Sequence, residues 1–87
     1  MNTKIEKLPE TPWGPAQTSE VIAPGITFYS TASHGGFHLS DERNARVSLK
    51  LRRSTFLQLG MKGWYEEDCD ASIVLATFPE YAELLRG

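Results

Sequence analysis

The sequence predicts a small α+β domain: an antiparallel sheet of three to four strands, with one main helix and one or two short helices packed on one face. Three observations predict it. A Pro24-Gly25 pair separates two short segments rich in β-branched and aromatic residues, the pattern of a β-hairpin. A helical stripe of apolar residues appears in the last third of the chain. The 87 residues are enough for one modest core.

The N-terminal segment differs in texture from the rest of the chain. Residues 1–12 are polar, contain Pro9 and Pro12 and show no sustained period, so they are predicted to form a flexible arm. Residues 13–87 are predicted to form a single globular domain. No apolar run is long enough to cross a bilayer, and no apolar signal region follows the N-terminus. We therefore expect a cytoplasmic protein that does not bind membranes.

The strands are expected to come first. Residues 17–23 and 26–31 form the predicted hairpin around the Pro-Gly turn, and residues 37–39 alternate like a third strand after Gly35-Gly36. Ser40 is a natural N-cap for a short helix over about 41–47. The alternation at 47–51 fits either a strand or a continuation of that helix, and residues 52–62 are expected to connect it to the next element.

The main helix is predicted over about residues 65–77. Acidic residues occupy its first turn, where the positive end of the helix dipole favours them. Cys69, Ile73 and Ala76 trace its buried stripe, and Pro79 ends it and begins a final turn or two. As the sole cysteine, Cys69 excludes an internal disulfide and a cysteine-based zinc site, which fits a reducing compartment.

Charge is segregated along the chain, although the net charge is only −2. The charged residues of 43–63 are all basic, whereas the charged residues of 64–87 are all acidic except for Arg86. Such segregation steers encounters with charged partners and says little about the fold. It favours a surface that recognises an oppositely charged partner.

Four motifs resemble one known family. They are Trp-Gly-Pro at 13–15, Ile-Ala-Pro-Gly-Ile at 22–26, Ser-Thr-Ala-Ser-His-Gly-Gly-Phe at 30–37 and Gly-Trp-Tyr-Glu-Glu-Asp at 63–68. In that order they resemble a domain of unknown function of bacterial, plasmid and phage proteins (DUF7007), over roughly residues 11–80. The resemblance implies a mobile-element setting and no established reaction.

The acidic segment next to two aromatic residues suggests a binding surface. Charge-assisted hydrogen bonds to arginines would fix the orientation of a bound partner, and aromatic side chains are common interface anchors. The predicted partner-binding residues are Glu66, Glu67, Asp68, Asp70, Trp64, Tyr65 and His34. Together with the family setting, they predict an inhibitor that binds the basic, nucleic-acid-binding surface of a host defence complex, a CRISPR effector. Homodimerisation is left open, and neither a cofactor nor a metal is expected.

Two alternatives of other classes remain. A small hydrolase or metal-dependent enzyme would use His34 with Ser33 and Glu66, or another acid of the 66–70 run, provided that these side chains meet in the fold. A DNA-binding regulator would use the basic residues from Arg43 to Arg53, with Arg43, Arg46 and Lys50 on one helical face. Direct binding of nucleic acid is the less favoured of these interpretations, because no nucleic-acid motif accompanies the basic run.

Overall fold

A four-stranded antiparallel sheet organises the protein, and a computed structural model describes it over residues 8–53 and 62–85. The strands of this sheet lie in the order β3-β4-β5-β6, and a separate pair, β1-β2, precedes them. The elements in chain order are β1 (Glu10–Thr11), β2 (Gly14–Pro15), β3 (Thr18–Ala23), β4 (Ile26–Ser30), β5 (Gly35–Leu39), α1 (Asp41–Asn44), α2 (Leu49–Arg52), β6 (Trp64–Glu66), α3 (Ala71–Thr77), a 3-10 turn (Pro79–Tyr81) and α4 (Ala82–Leu85). The predicted α+β class is confirmed. No helix in the described ranges is long and apolar enough to cross a membrane.

The β3-β4 hairpin forms where the Pro-Gly pair predicts it. Gly25 has a φ of +84°, a left-handed conformation that residues with a Cβ rarely adopt. The register runs from Thr18 opposite Ser30 to Val21 opposite Thr27, and then shifts before Ala23. Strand β5 continues the meander against β4 from Gly35, two residues before the predicted start.

The β1-β2 pair lies against the face of the sheet that points away from the hydrophobic core, here called the second face. Trp13, between the two strands, packs so closely on Gly36 that a Cβ there would clash with its ring. Thr11 is buried, and its hydroxyl donates to the Gly14 carbonyl at 2.8 Å while accepting from the Trp13 N–H at 3.0 Å. Within the segment predicted as an arm, Glu10–Thr11 thus form a short strand paired with Gly14–Pro15. Residues 1–7 lie outside the described ranges.

The core lies between the opposite face of the sheet and the helices. Its largest fully buried side chains are Ile26, Leu39, Val47, Tyr65, Val74 and Phe78. Each such side chain contributes about 1.5–3 kcal/mol by leaving water. Helix α3 packs against both β5 and β6, which fixes the segment before it at the end of the sheet.

The main helix begins later than predicted, because residues 64–66 are a strand. Tyr65 pairs with Phe37 in the sheet and is fully buried, so cross-strand pairing outweighs the local helical pattern. Residues 67–70 form a turn, and Cys69 is exposed on it. The predicted burial of Cys69 and Ala76 is wrong, since both are exposed, whereas Ile73 packs partly buried against a core that includes Val74 and Phe78.

The middle of the chain contains two short helices where one was expected. Ser40 caps α1 as predicted, accepting from the Arg43 N–H at 3.2 Å, but α1 ends at Asn44. Ser48 caps α2, accepting from the Leu51 N–H at 3.3 Å, and this second cap restarts the helix. The segment 47–51, which fitted either a strand or a helix, is therefore helical from Leu49 onward. Most of the predicted connection over 52–62 lies outside the described residues.

Candidate functional site

The segment Glu66–Asp70, here called the acidic turn, connects β6 to α3. Its backbone closes through a hydrogen bond from the Asp70 N–H to the Glu66 carbonyl at 2.8 Å. Two carboxylates also bind the turn itself: Glu66 Oε1 accepts from the Cys69 N–H at 3.2 Å, and Asp70 Oδ2 accepts from the Glu66 N–H at 3.4 Å. Glu66 and Asp70 are therefore half-buried parts of the turn, while Glu67 and Asp68 are exposed.

On one side of the acidic turn, two carboxylates converge on His34. The Nδ1 of His34 lies 3.5 Å from Glu66 Oε2, and ligand atoms of His34, Glu66 and Asp68 all lie within 4.8 Å of one another. The loop that presents His34 is held at its base, since the Thr31 N–H donates to the His34 carbonyl at 2.7 Å. Thr31 Oγ1 in turn accepts from the His34 N–H at 3.1 Å.

Burial and the local concentration of negative charge raise the pKa of two side chains of the acidic turn. The hydrogen bond with the Glu66 carboxylate, followed by the charges of Glu66, Asp70 and Asp68, raises the pKa of the Cys69 thiol. Burial raises the pKa of Asp70, and the charge of Glu66 adds to this, although the hydrogen bond from the Glu66 backbone opposes it. A raised pKa disfavours the thiolate, which is the nucleophilic form of cysteine.

On the other side of the turn, Glu67 faces a shallow groove with an apolar floor. The groove has a volume of about 290 Å³ and is lined by Glu20, Ile22, Phe28, Phe37, Glu67, Ala71, Leu84 and Leu85. Its rim carries the exposed acids Glu20 and Glu67, and Leu84 is 56% exposed. We call this the acid-rimmed groove. Sequence reasoning missed Glu20, Leu84 and Leu85, because their approach to Glu67 arises from chain folding and no local pattern signals it.

The two aromatic residues predicted as exposed anchors are interior. Tyr65 is fully buried, and its hydroxyl donates to Asn44 Oδ1. Burial raises the pKa of Tyr65 to about 12, with a smaller opposing effect from Arg52 and a smaller raising effect from Asp70. Trp64 is only 9% exposed. Contrary to the prediction from the sequence, neither ring is therefore an exposed anchor for a partner.

Trp64 belongs to an aromatic cluster on the second face of the sheet. Its ring centroid lies 4.6 Å from that of His38, 5.4 Å from that of Tyr29 and 5.9 Å from that of Trp13. Burial lowers the pKa of His38, against an opposing effect of Asp41. His38 is therefore a packing residue of this cluster and does not join His34 at the acidic turn.

Sequence comparison assigns the chain to a family. A family model described as a domain of unknown function (DUF7007) matches residues 6–86. The chain belongs to the DUF7007 family. The resemblance indicated by the four motifs is thereby confirmed, and the match extends into the segment predicted as a flexible arm. No curated protein and no solved structure matches the chain. Because the family description names no activity, function has to be argued from the side chains.

In this DUF7007 domain, the basic residues of 43–53 do not form one exposed helical face. Arg43 is half-buried: its Nε donates to the Pro24 carbonyl at 2.9 Å and its NH2 to the Tyr81 hydroxyl at 3.3 Å. Arg52 Nε donates to the Val47 carbonyl at 3.0 Å. The predicted single helix carrying Arg43, Arg46 and Lys50 is wrong, because two Ser-capped helices replace it.

The hydrolytic interpretation meets one of its two geometric requirements. His34 and Glu66 lie in contact, as that interpretation needs. The Ser33 hydroxyl, however, makes no hydrogen bond to His34 within the described residues; the Ser33 N–H instead donates to Thr31 Oγ1 at 3.4 Å. The loop therefore presents an acid–imidazole pair without an activated serine.

Proposed function

We propose that this protein is a binding protein whose acid-rimmed groove takes a basic segment of a partner protein. The observation that carries the proposal is the position of Glu20 and Glu67 at the rim of an apolar floor. An apolar side chain of the partner would lie against Ile22 and Phe28, and its Lys or Arg residues would pair with the rim carboxylates. An apolar centre with a charged rim is the usual anatomy of a protein interface.

The charges at the groove support a basic partner. Among the residues that the structure describes, the acid–base contacts are those of the His34 imidazole with Glu66 and of Lys62 with Asp41. Neither Glu20 nor Glu67 is in an ion pair within this set, so both carboxylates can pair with incoming cations. Exposed Asp68, next to Glu67 in the chain, adds negative charge to this part of the surface. Complementary charge accelerates association and excludes acidic partners.

The fuller proposal, made first from the sequence, is that the partner belongs to a host defence complex, a CRISPR effector, and that binding inhibits it. The nucleic-acid-binding surfaces of such complexes carry arginines and lysines that hold phosphates. If the exposed carboxylates of this protein paired with those arginines and lysines, the protein would compete directly with the nucleic acid. The mobile-element setting implied by the family resemblance is what favours this class of partner.

The groove is tested by charge reversal with a matched control. A photo-crosslinking amino acid at Leu84 captures the partner, whose affinity is then measured with purified proteins by biolayer interferometry. E20K/E67K is expected to weaken binding at least about tenfold, because two attractive pairs become repulsive. E10K/E42K, which reverses two exposed acids outside the groove, is expected to bind like wild type. Equal losses in both variants would mean that net charge alone drives binding and would contradict the groove.

The inhibitory role needs a separate functional measurement. Expressed in bacteria with active CRISPR interference, the wild-type protein is expected to raise the plating efficiency of a targeted phage. E20K/E67K is expected to lose that effect, and E10K/E42K to keep it. An unchanged plating efficiency with the wild-type protein, at confirmed expression, would refute the CRISPR effector as target and leave the groove to be judged by the binding measurement.

A second candidate, a small hydrolase, is favoured by the contact between His34 and Glu66. A carboxylate beside Nδ1 orients an imidazole for general-base catalysis through its other nitrogen. Purified protein would then hydrolyse a nitrophenyl ester faster than buffer, and H34A would reduce the rate to background. An H34A rate equal to that of wild type would eliminate this candidate.

A further inference from the structure

We propose that His34, Glu66 and Asp68 form a binding site for a divalent transition-metal cation such as Zn²⁺. One ring nitrogen and two carboxylate oxygens from these residues lie within 4.8 Å of one another. The three residues come from two different segments, the loop before β5 and the end of β6 with its following turn. The sequence offered these residue types as candidates, but whether they converge depends on the pairing of β5 with β6.

The distances suit a metal after a small local adjustment. Ligand atoms about 2.0–2.1 Å from a tetrahedral Zn²⁺ lie roughly 3.3 Å apart. The Nδ1 of His34 and the Oε2 of Glu66 are already 3.5 Å apart. Asp68 is exposed, and a carboxylate oxygen of it already lies within 4.8 Å of both other ligand atoms.

The hydrogen bonds around the cluster position two of the three ligands. Glu66 Oε1 accepts from the Cys69 N–H at 3.2 Å, which leaves Oε2 directed at His34. The His34 backbone is held by Thr31, whose Oγ1 donates to the His34 carbonyl at 2.8 Å. Outer hydrogen bonds of this kind orient metal ligands and raise affinity.

The donor set also selects the class of metal. Two carboxylates and a neutral imidazole carry two negative charges and so neutralise a dication. Imidazole suits Zn²⁺, Co²⁺ and related ions, whereas Mg²⁺ and Ca²⁺ prefer sites made of oxygen alone. With three protein ligands, the cation keeps at least one position for water or for a side chain of another molecule.

The metal site and the acid-rimmed groove use different carboxylates. Glu66 and Asp68 converge on His34, while Glu67 lines the groove with Glu20. The metal proposal therefore does not depend on the proposed binding function, and either one can fail without the other.

Isothermal titration calorimetry of the tag-free protein with ZnCl₂ at pH 7.5 tests the site. One saturable site per chain is expected in the wild type, and H34A and D68N are each expected to weaken it at least about tenfold. E80Q, which removes an exposed acid outside the cluster, serves as the control and is expected to bind like wild type. Circular dichroism of each variant checks that its fold is retained.

Two further readouts distinguish a specific site from adventitious binding. Co²⁺ is expected to give visible absorption bands in the wild type that disappear in H34A. Lowering the pH to 5.5 is expected to weaken Zn²⁺ binding, because a protonated imidazole has no lone pair for the metal. Absence of a saturable site, or H34A binding Zn²⁺ as tightly as wild type, would overturn the proposal.

Discussion

The basic segment 43–53 carries five cationic side chains and the acidic turn 66–70 carries four carboxylates, yet the fold uses them in opposite ways. The guanidinium of Arg43 lies 5.2 Å from the ring centroid of Phe78 and 5.3 Å from that of Tyr81, and it also donates two hydrogen bonds. Glu67 and Asp68 are exposed and lie outside every ion pair among the described residues. Arg43 of the basic segment stabilises the fold, whereas Glu67 and Asp68 of the acidic turn leave charge available for binding.

The difference follows from the chemistry of the two side chains. Arginine has a long apolar stem and a planar, weakly hydrated head, so it can pack on aromatic rings and still donate hydrogen bonds. A short carboxylate is strongly hydrated and loses much free energy when it is buried without partners. Arginines interspersed with core residues, as in this segment, therefore do not by themselves indicate a binding surface.

The largest effect on stability is expected from replacing Arg43 in the basic segment. Replacement by alanine removes two hydrogen bonds and two cation–π contacts, so R43A is expected to lower the free energy of unfolding by about 2–3 kcal/mol. R46A is the matched control: Arg46 is exposed and lies 5.5 Å from the Phe78 ring centroid, so a loss below about 1 kcal/mol is expected. Urea denaturation followed by fluorescence measures both. Equal effects would mean that Arg43 is as dispensable as a surface charge.

The next largest effect is expected where the two regions are joined. Tyr65, next to the acidic turn, donates its buried hydroxyl to Asn44 of α1. Y65F removes that bond and leaves the Asn44 oxygen unpaired, which is expected to cost about 1–2 kcal/mol of unfolding free energy. If Y65F had the same free energy of unfolding as the wild type, measured by urea denaturation, the hydrogen bond would not link the two regions.

The same residue gives a pH signature. Because the folded-state pKa of Tyr65 is raised to about 12 from an ordinary value of 10.0, the neutral phenol is the stabilised form. Its contribution is complete below about pH 10 and is lost as the pH rises towards 12. The difference in unfolding free energy between wild type and Y65F should therefore shrink over that window. A constant difference from pH 9 to 12 would contradict the assignment.

Local signals predicted much of the fold. The Pro24-Gly25 hairpin, the Ser40 cap and the break at Pro79 each depend on residues adjacent in sequence, and all are present. The start of α3 was predicted wrongly, because strand β6 exists only through pairing with β5. A strand of three residues, Trp64–Glu66, is too short to show a periodicity that could distinguish it from the first turn of a helix.

The candidate site divides in the same way. The acids of the turn and His34 were recognised from residue type, and the contact of His34 with Glu66 was one of the arrangements foreseen for them. The groove was missed, since Glu20 and Leu84 are 64 positions apart and meet only through the packing of the C-terminal turn on β3 and β4. The burial of Tyr65 was also missed, because an aromatic beside acids looks the same whether it faces the core or solvent.

The smallest effect is expected in the acidic turn itself. E67Q/D68N removes two exposed charges that repel their neighbours and make no ion pair within the described residues, so the free energy of unfolding should change by no more than about 0.5 kcal/mol. Any change should be a gain that diminishes as salt is added, because salt already screens that repulsion. Denaturation at low and high NaCl measures it. A loss comparable to that of R43A would mean that these carboxylates hold the fold together, and the two charged regions would then be alike.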